Sequence, residues 1–182
     1  MKKIYAIFML IYLIFSLTAC SFENFLMETD DLVVADKQFE KILAVVEKQD
    51  RDALKGMFSV KAQTNSKSFD EDIASLFDYF KGDILSYDDH GCGKVFIGKN
   101  DEGYKRQWKT TETTYNVETS EGFYQFAIKT YVTDTATSDN IGIESLYVIR
   151  LDGAEKEDKE IAYWGDGDWT YGINFDKIYV EP

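Results

Sequence analysis

The chain has 182 residues, with 33 Asp and Glu against 20 Lys and Arg and a formal net charge of −13. A chain this acidic offers no basic face to nucleic acid and is repelled by anionic lipid headgroups. Hydrophobic residues make up 45% of it, enough over one domain's length to bury a core.

Lys2 and Lys3 open the chain, and Ile4 to Phe15 is an unbroken apolar run of twelve residues. Ser16-Leu17-Thr18-Ala19-Cys20 follows. A basic start, a short apolar stretch and small residues are the parts of a secretory signal. The run makes roughly 18 Å of helix, short of the ~30 Å hydrocarbon layer. Leu17-Thr18-Ala19-Cys20 resembles the lipobox of bacterial lipoproteins. The resemblance implies that residues 1–19 are a lipoprotein signal peptide and that the Cys20 thiol is acylated. Cys20 would then be the mature N-terminus, holding the protein to the outer, extracytoplasmic face of the cell membrane. Lys2 and Lys3 leave with the signal and no acid does, so the charge goes from −13 to −15. Cys92 is then the one cysteine without a lipid, and an intramolecular disulfide is excluded by counting.

Residues 20–31 read as an acidic tether, whose flexible coil reaches roughly 18 Å. A domain of about 150 residues has a radius of gyration near ~15 Å, so the single domain, residues 32–182, rides close to the membrane.

The first half of that domain is helical. Ala35, Phe39, Ile42, Leu43 and Val46 share one helix face. Asp50 caps a second, short helix with Ala53, Leu54, Met57 and Phe58. Residues 59–67 read as a polar loop. Ser68 and Glu71 make a capping box for a third helix carrying Phe69, Ile73, Leu76, Phe77 and Phe80, with Gly82 just past its end. Strands follow at Ile84–Asp88, Lys94–Ile97 and Trp108–Val117, then a hairpin turn at Thr119-Ser120-Glu121-Gly122. In the next strand Tyr124, Phe126, Ile128 and Val132 alternate with Gln125, Ala127, Lys129 and Tyr131, the pattern of a half-covered antiparallel sheet. Ile141–Leu151 carries apolar groups on both faces (Ile143, Tyr147 and Ile149; Leu146 and Val148) and reads as central. Ile161–Trp164 and Tyr171–Phe175 complete the set. Helices first and strands afterwards argue for an α+β domain with three helices on one antiparallel sheet.

The helices and the long sheet resemble the cone-shaped fold of nuclear transport factor two and ketosteroid isomerase. More narrowly, Ile143-Glu144-Ser145-Leu146-Tyr147-Val148-Ile149, Tyr163-Trp164-Gly165-Asp166-Gly167-Asp168-Trp169 and Gly172-Ile173 resemble a family of bacterial lipoproteins common in Clostridia-like Gram-positives. That family carries a domain of unknown function assigned to this fold. The resemblance implies a strongly curved sheet and a membrane location, and no catalytic residue. Dimers are frequent in the resembled fold, which makes a homodimer an expectation.

Tyr87-Asp88-Asp89-His90-Gly91-Cys92-Gly93-Lys94 holds the only histidine. A Cys nucleophile needs a base and a lowered pKa, but the acids around Cys92 raise it. As metal ligands, Asp88, Asp89, His90 and Cys92 depart from the usual zinc pattern. The plainer reading is a glycine-rich hairpin connection. Asp166 and Asp168 supply two carboxylates where a calcium loop supplies six or more oxygens, so that segment reads as a tight turn between tryptophans. No metal or cofactor is expected. Aromatics are 15% of the chain. Their plain role is core; the sharper one is a ligand pocket lined by Tyr124, Phe126, Tyr147, Trp164 and Trp169.

The expectation is a non-catalytic lipoprotein binding a small apolar or amphipathic ligand, or an envelope protein. Two alternatives stand beside it. One is an isomerase or dehydratase with a buried acid facing the cone. The other is an inhibitor or immunity-type protein using the acidic surface.

Overall fold

The computed structural model describes residues 30–89, 93–99, 107–151 and 169–175. The signal segment, Cys20, the tether up to residue 29, His90, Cys92 and the segment from Trp164 to Asp168 lie outside them, as does the expected strand at 161–164.

The described residues form four α-helices and then a six-stranded sheet, a mixed α+β fold. Helix α1 spans 30–47 and already includes Asp30 and Asp31. Its apolar stripe, Ala35, Phe39, Ile42, Leu43 and Val46, is wholly buried. Helix α2 is Arg51–Met57, capped by the Asp50 carboxylate accepting from the Ala53 N–H at 3.0 Å. Helix α4, Phe69–Tyr79, buries Phe69, Ile73 and Leu76.

Two helical expectations are corrected. Residues 59–67 are not a loop, because Val60–Asn65 form helix α3. The Ser59 hydroxyl caps it by accepting from the Ala62 N–H at 3.0 Å, and Ala62 is fully buried. The side chain of Gln63 bridges back, donating to the carbonyls of Lys55 and Phe58 at the end of α2. The capping box at α4 does not form either: Ser68 donates to both oxygens of Asp72 at 3.0 Å and makes no cap bond. A carboxylate one residue beyond Glu71 offers the hydroxyl a charge-assisted partner that a backbone N–H does not match. Gly82 (φ 87) sits two residues past the C-cap Phe80.

The strands are β1 (Ile84–Asp89), β2 (Lys94–Lys99), β3 (Gln107–Thr119), β4 (Gly122–Asp134), β5 (Gly142–Arg150) and β6 (Gly172–Phe175). They order as β1-β3-β4-β5-β6, with β2 also on β3. The turn between β3 and β4 forms as expected, with Thr119 opposite Gly122. The sheet is mixed rather than all antiparallel: β6 runs parallel to β5, which the long connection from Arg150 to Gly172 permits. A hairpin between β1 and β2 is also overturned. Both strands pair with β3, end to end, Asp89 reaching Tyr115 and Lys94 resuming at Glu112. They form one interrupted edge.

Strand β5 is central, paired to β4 on one side and β6 on the other. Its ladder with β4 shifts between Lys129 and Thr130, leaving Glu144 as an extra residue. The bulge returns Ile143 to the side of Leu146 and Val148, so all three join the core under the helices. Phe39, Ile42, Leu54, Ile73 and Leu76 meet Tyr115, Val117, Tyr124, Phe126 and Ile128 in that same core. The α2–α3 junction docks on the start of β5. Phe58 bridges to Ile143, and the Ser59 N–H donates to the Ile143 carbonyl at 3.0 Å.

That docking sets a contrast between two glycines. Gly142 has φ 117, and an added Cβ would meet the Ser59 nitrogen at 2.9 Å. Gly56, inside α2, has nothing within 4 Å of such a Cβ. Gly142→Ala should destabilise the protein by about 1–3 kcal/mol, whereas Gly56→Ala should stabilise it by roughly 0.5–1 kcal/mol. Urea denaturation of the two variants checks both signs.

Candidate functional site

The face of the sheet turned away from the core cluster is not a plain wet surface. Alternation along β4 sends Gln125, Ala127 and Lys129 to it, and their partners in β5 are Ile149, Tyr147 and Ser145. Gln125, Ala127, Ser145, Tyr147 and Ile149 are all buried, so the half-covered sheet expected from the sequence is covered in its middle on both faces.

A row of charge crosses this face. Register places Lys94 of β2 opposite Glu112 of β3, Glu112 opposite Lys129 of β4, and Lys129 opposite Ser145 of β5. Directly opposed side chains stand about 4.5–5.5 Å apart at Cβ. The bulge residue Glu144 closes the row, its Oε1 3.1 Å from the Lys129 Nζ, with 9% of the Glu144 side chain and 19% of the Lys129 side chain exposed. The row therefore runs from an exposed lysine at the sheet edge inward to a buried carboxylate.

The segment before β6 completes the site. The Ser145 hydroxyl donates to the Thr170 carbonyl at 2.6 Å, and the Thr170 N–H donates to the Tyr147 hydroxyl at 2.8 Å. These two bonds hold Trp169 against Tyr147, ring centroids 5.5 Å apart and 71° between planes. The indole N–H of Trp169 donates to the Glu112 carboxylate. Burial raises the Glu112 carboxyl above its ordinary value, opposed by Lys129, the Trp169 hydrogen bond and Lys94, and reinforced by Glu144. At the lower border the Lys61 ammonium of α3 hydrogen-bonds Tyr171, which raises the Lys61 pKa against the pull of burial.

The aromatic residues expected to line one pocket divide between the two faces. Tyr124 and Phe126 are fully buried on the helix side. Phe126 lies edge-on to Phe39 and Phe80, at 5.5 and 5.6 Å between centroids. The Tyr124 hydroxyl accepts from the Lys81 N–H at 3.0 Å and donates to the Tyr79 carbonyl at 3.2 Å. Both rings are packing. Tyr147 and Trp169 meet each other on the opposite face, and Trp164 lies outside the described residues. Reading the sequence did not single out Glu112, Lys129 or Glu144. Period-two alternation could place each on a face, but only the pairing register shows that they share a row.

The two buried acids among the described residues, Asp134 and Glu144, are held by protein groups. Asp134 accepts from the Ala136 and Thr137 N–H groups and from the Asn140 side chain at 2.6 Å, fixing the turn between β4 and β5. No helix among the described residues is long and apolar enough to cross a membrane.

The raised carboxyl of Glu112 has a sign that can be checked. The folded state holds this proton more tightly than the unfolded chain, so folding loses stability as pH rises from 4.5 through the folded pKa. Glu112→Gln keeps an acceptor for the indole N–H and removes that loss. The variant should gain stability relative to the parent on going from pH 4 to pH 7, as read by urea midpoints across the range.

A family model described as a domain of unknown function, DUF5104, matches residues 41–151. The match takes in the last seven residues of α1, the other helices and β1 to β5, including Lys94, Glu112, Lys129 and Glu144, and stops before Trp169. No curated protein matches the chain. With more than half its length inside that match, this chain belongs to the DUF5104 family of domains of unknown function.

Proposed function

We propose that this chain is a lipid-anchored extracytoplasmic lipoprotein whose domain binds a small amphipathic ligand without catalysis, on the sheet face that carries Trp169 and the charged row. The observation that carries the reading is the junction of Trp169, Tyr147 and Glu112. An aromatic pair with a half-buried carboxylate at its border suits a ligand with an apolar body and a polar end. The helix-side interior supports the same choice, since Tyr124 and Phe126 are fully buried there within the packed core. The anchor rests on Leu17-Thr18-Ala19-Cys20 after its basic and apolar lead. Helices before a sheet that they cover on one face also support kinship with the cone-shaped fold of nuclear transport factor two. An isomerase-like site would need its acid on that helix side, whereas the raised acid Glu112 stands on the opposite one, between two lysines.

Two measurements test the reading separately. In cells fed labelled fatty acid, the parent chain should carry label and Cys20→Ala should not; label on that variant overturns the anchor. For the ligand site, alkyl chains bearing amine, carboxylate or zwitterionic heads are titrated against Trp169 fluorescence. At least one class should bind, and Tyr147→Ala, which leaves the Trp169 reporter in place, should weaken it by about ten-fold or more, the loss of roughly 1.4 kcal/mol. Unchanged affinity in the Tyr147→Ala variant, or no response to any head group, counts against the site.

A further inference from the structure

Helix α3 has only six residues, yet it is clamped at both ends. Ser59 is its N-cap and Ser66 its C-cap. A Cβ added to Gly142, the first residue of β5, would meet the Ser59 nitrogen at 2.9 Å. One added to Gly172, the first residue of β6, would meet the Ser66 Cβ at 2.8 Å. Two bare glycines therefore let α3 lie across the starts of two neighbouring strands, with its Ala62 fully buried. That seat brings Lys61 to the lower border of the charged face. Its ammonium hydrogen-bonds Tyr171 and stands 5.5 Å from the centre of that ring. Tyr131 of β4 and Glu144 of β5 are close enough to act on the same charge.

The carboxylates of this face are already answered by a cation. Glu144 is 3.1 Å from Lys129, and Glu112 lies opposite Lys129 in register while accepting from the Trp169 N–H. Lys61 is answered differently. Among the described residues no carboxylate forms an ion pair with it, and its hydrogen-bond partner is a neutral phenol. An ammonium has three N–H donors, and a phenol whose oxygen accepts one of them still has its own O–H to donate. Two ammonium protons and one phenolic proton are then left side by side, a donor set that suits anionic oxygens. We propose that they hold the anionic head, carboxylate or phosphate, of an amphipathic ligand whose apolar body lies on Tyr147 and Trp169. Its chemistry rests on the amphipathic-ligand reading above, which leaves the head group open. Tyr171 follows Trp169 by two residues, roughly 7 Å of extended chain. Thr170 between them is fixed on both sides, its carbonyl by Ser145 and its N–H by Tyr147. Head and body are thus received at a set spacing. An ammonium head at the same place would stand beside the Lys61 charge.

The test uses the full chain in nanodiscs, with empty discs as the blank, and calorimetry, which needs no fluorescent reporter. Octyl phosphate, octanoate and octyltrimethylammonium are titrated beside inorganic phosphate. The two anionic chains should bind at least about ten-fold tighter than the ammonium chain. Lys61→Gln should weaken the anionic chains by about ten-fold, the loss of one charge-assisted hydrogen bond, and leave the ammonium chain no weaker. Tyr171→Phe, which keeps the ring, should weaken them by roughly three-fold or more. Lys61→Arg, which keeps the charge, should bind them better than Lys61→Gln does. Equal or tighter binding of the ammonium chain, or anionic affinity unchanged in Lys61→Gln, overturns the anionic head and leaves the ligand site standing. Inorganic phosphate binding as tightly as octyl phosphate makes the occupant a free anion and overturns the head group too. Silence from every chain, anionic and ammonium alike, overturns the ligand site and the head group together.

Discussion

A strand buried on both faces has no solvent to receive a misplaced polar group, so its register must be held from every side. Strand β5 is in that position, with all residues from Ile143 to Ile149 buried. It is paired along both edges, to β4 and to β6. Its ends are fixed as well: the α2–α3 junction hydrogen-bonds Ile143 at one, and the Tyr79 hydroxyl of α4 accepts from the Arg150 N–H at 2.8 Å at the other. The helices are thus placed by what β5 needs at its termini, as much as by the apolar stripe each of them carries.

The bulge at Glu144 follows from the same constraint. Strict alternation would put Ile143 on the face of Ser145 and Tyr147, away from the helices. One extra residue turns it back into the core and leaves a glutamate beside Lys129. A single local irregularity therefore serves two purposes, one of packing and one of charge. The hydroxyls of Ser145 and Tyr147 then fasten Thr170 and Trp169, so the strand that closes the core also positions the site on the other face.

How far the sequence discloses this depends on the range of the interactions. The stripe Ala35, Phe39, Ile42, Leu43, Val46 and the cap at Asp50 are local, and the structure has both. Helix α3 was hidden because its polar letters are loop-like, while its two decisive residues, Ser59 and Ala62, act through a cap and a tertiary contact. The in-line arrangement of β1 and β2 was hidden for a different reason. A glycine-rich connection between two short strands looks the same whether they pair with each other or share a third partner. The bulge and the parallel course of β6 are likewise properties of pairing, which no periodicity within one strand reveals. The expected pocket divided for the same cause: Tyr124 and Phe126 belong to one face and Tyr147 to the other, and aromatic content carries no record of face.

Stability does not explain why the second face is charged. Moving Lys129 and Glu144 out of water has a desolvation cost of several kcal/mol per ion, which their mutual attraction only roughly offsets, and apolar residues of similar volume would do as well or better. The helix-facing side shows that this chain can fill such positions with aromatic and branched residues. Glu112 makes the case more sharply, because burial holds its carboxyl above its ordinary value despite two lysines and an indole N–H, a net cost of ionising it there. Charges placed where they do not raise stability are the usual mark of recognition or chemistry. In this domain they lie in one row, from a buried glutamate to an exposed lysine on the strand at the sheet's edge. One face of the sheet is committed to cohesion, and the other carries the charged row beside Tyr147 and Trp169.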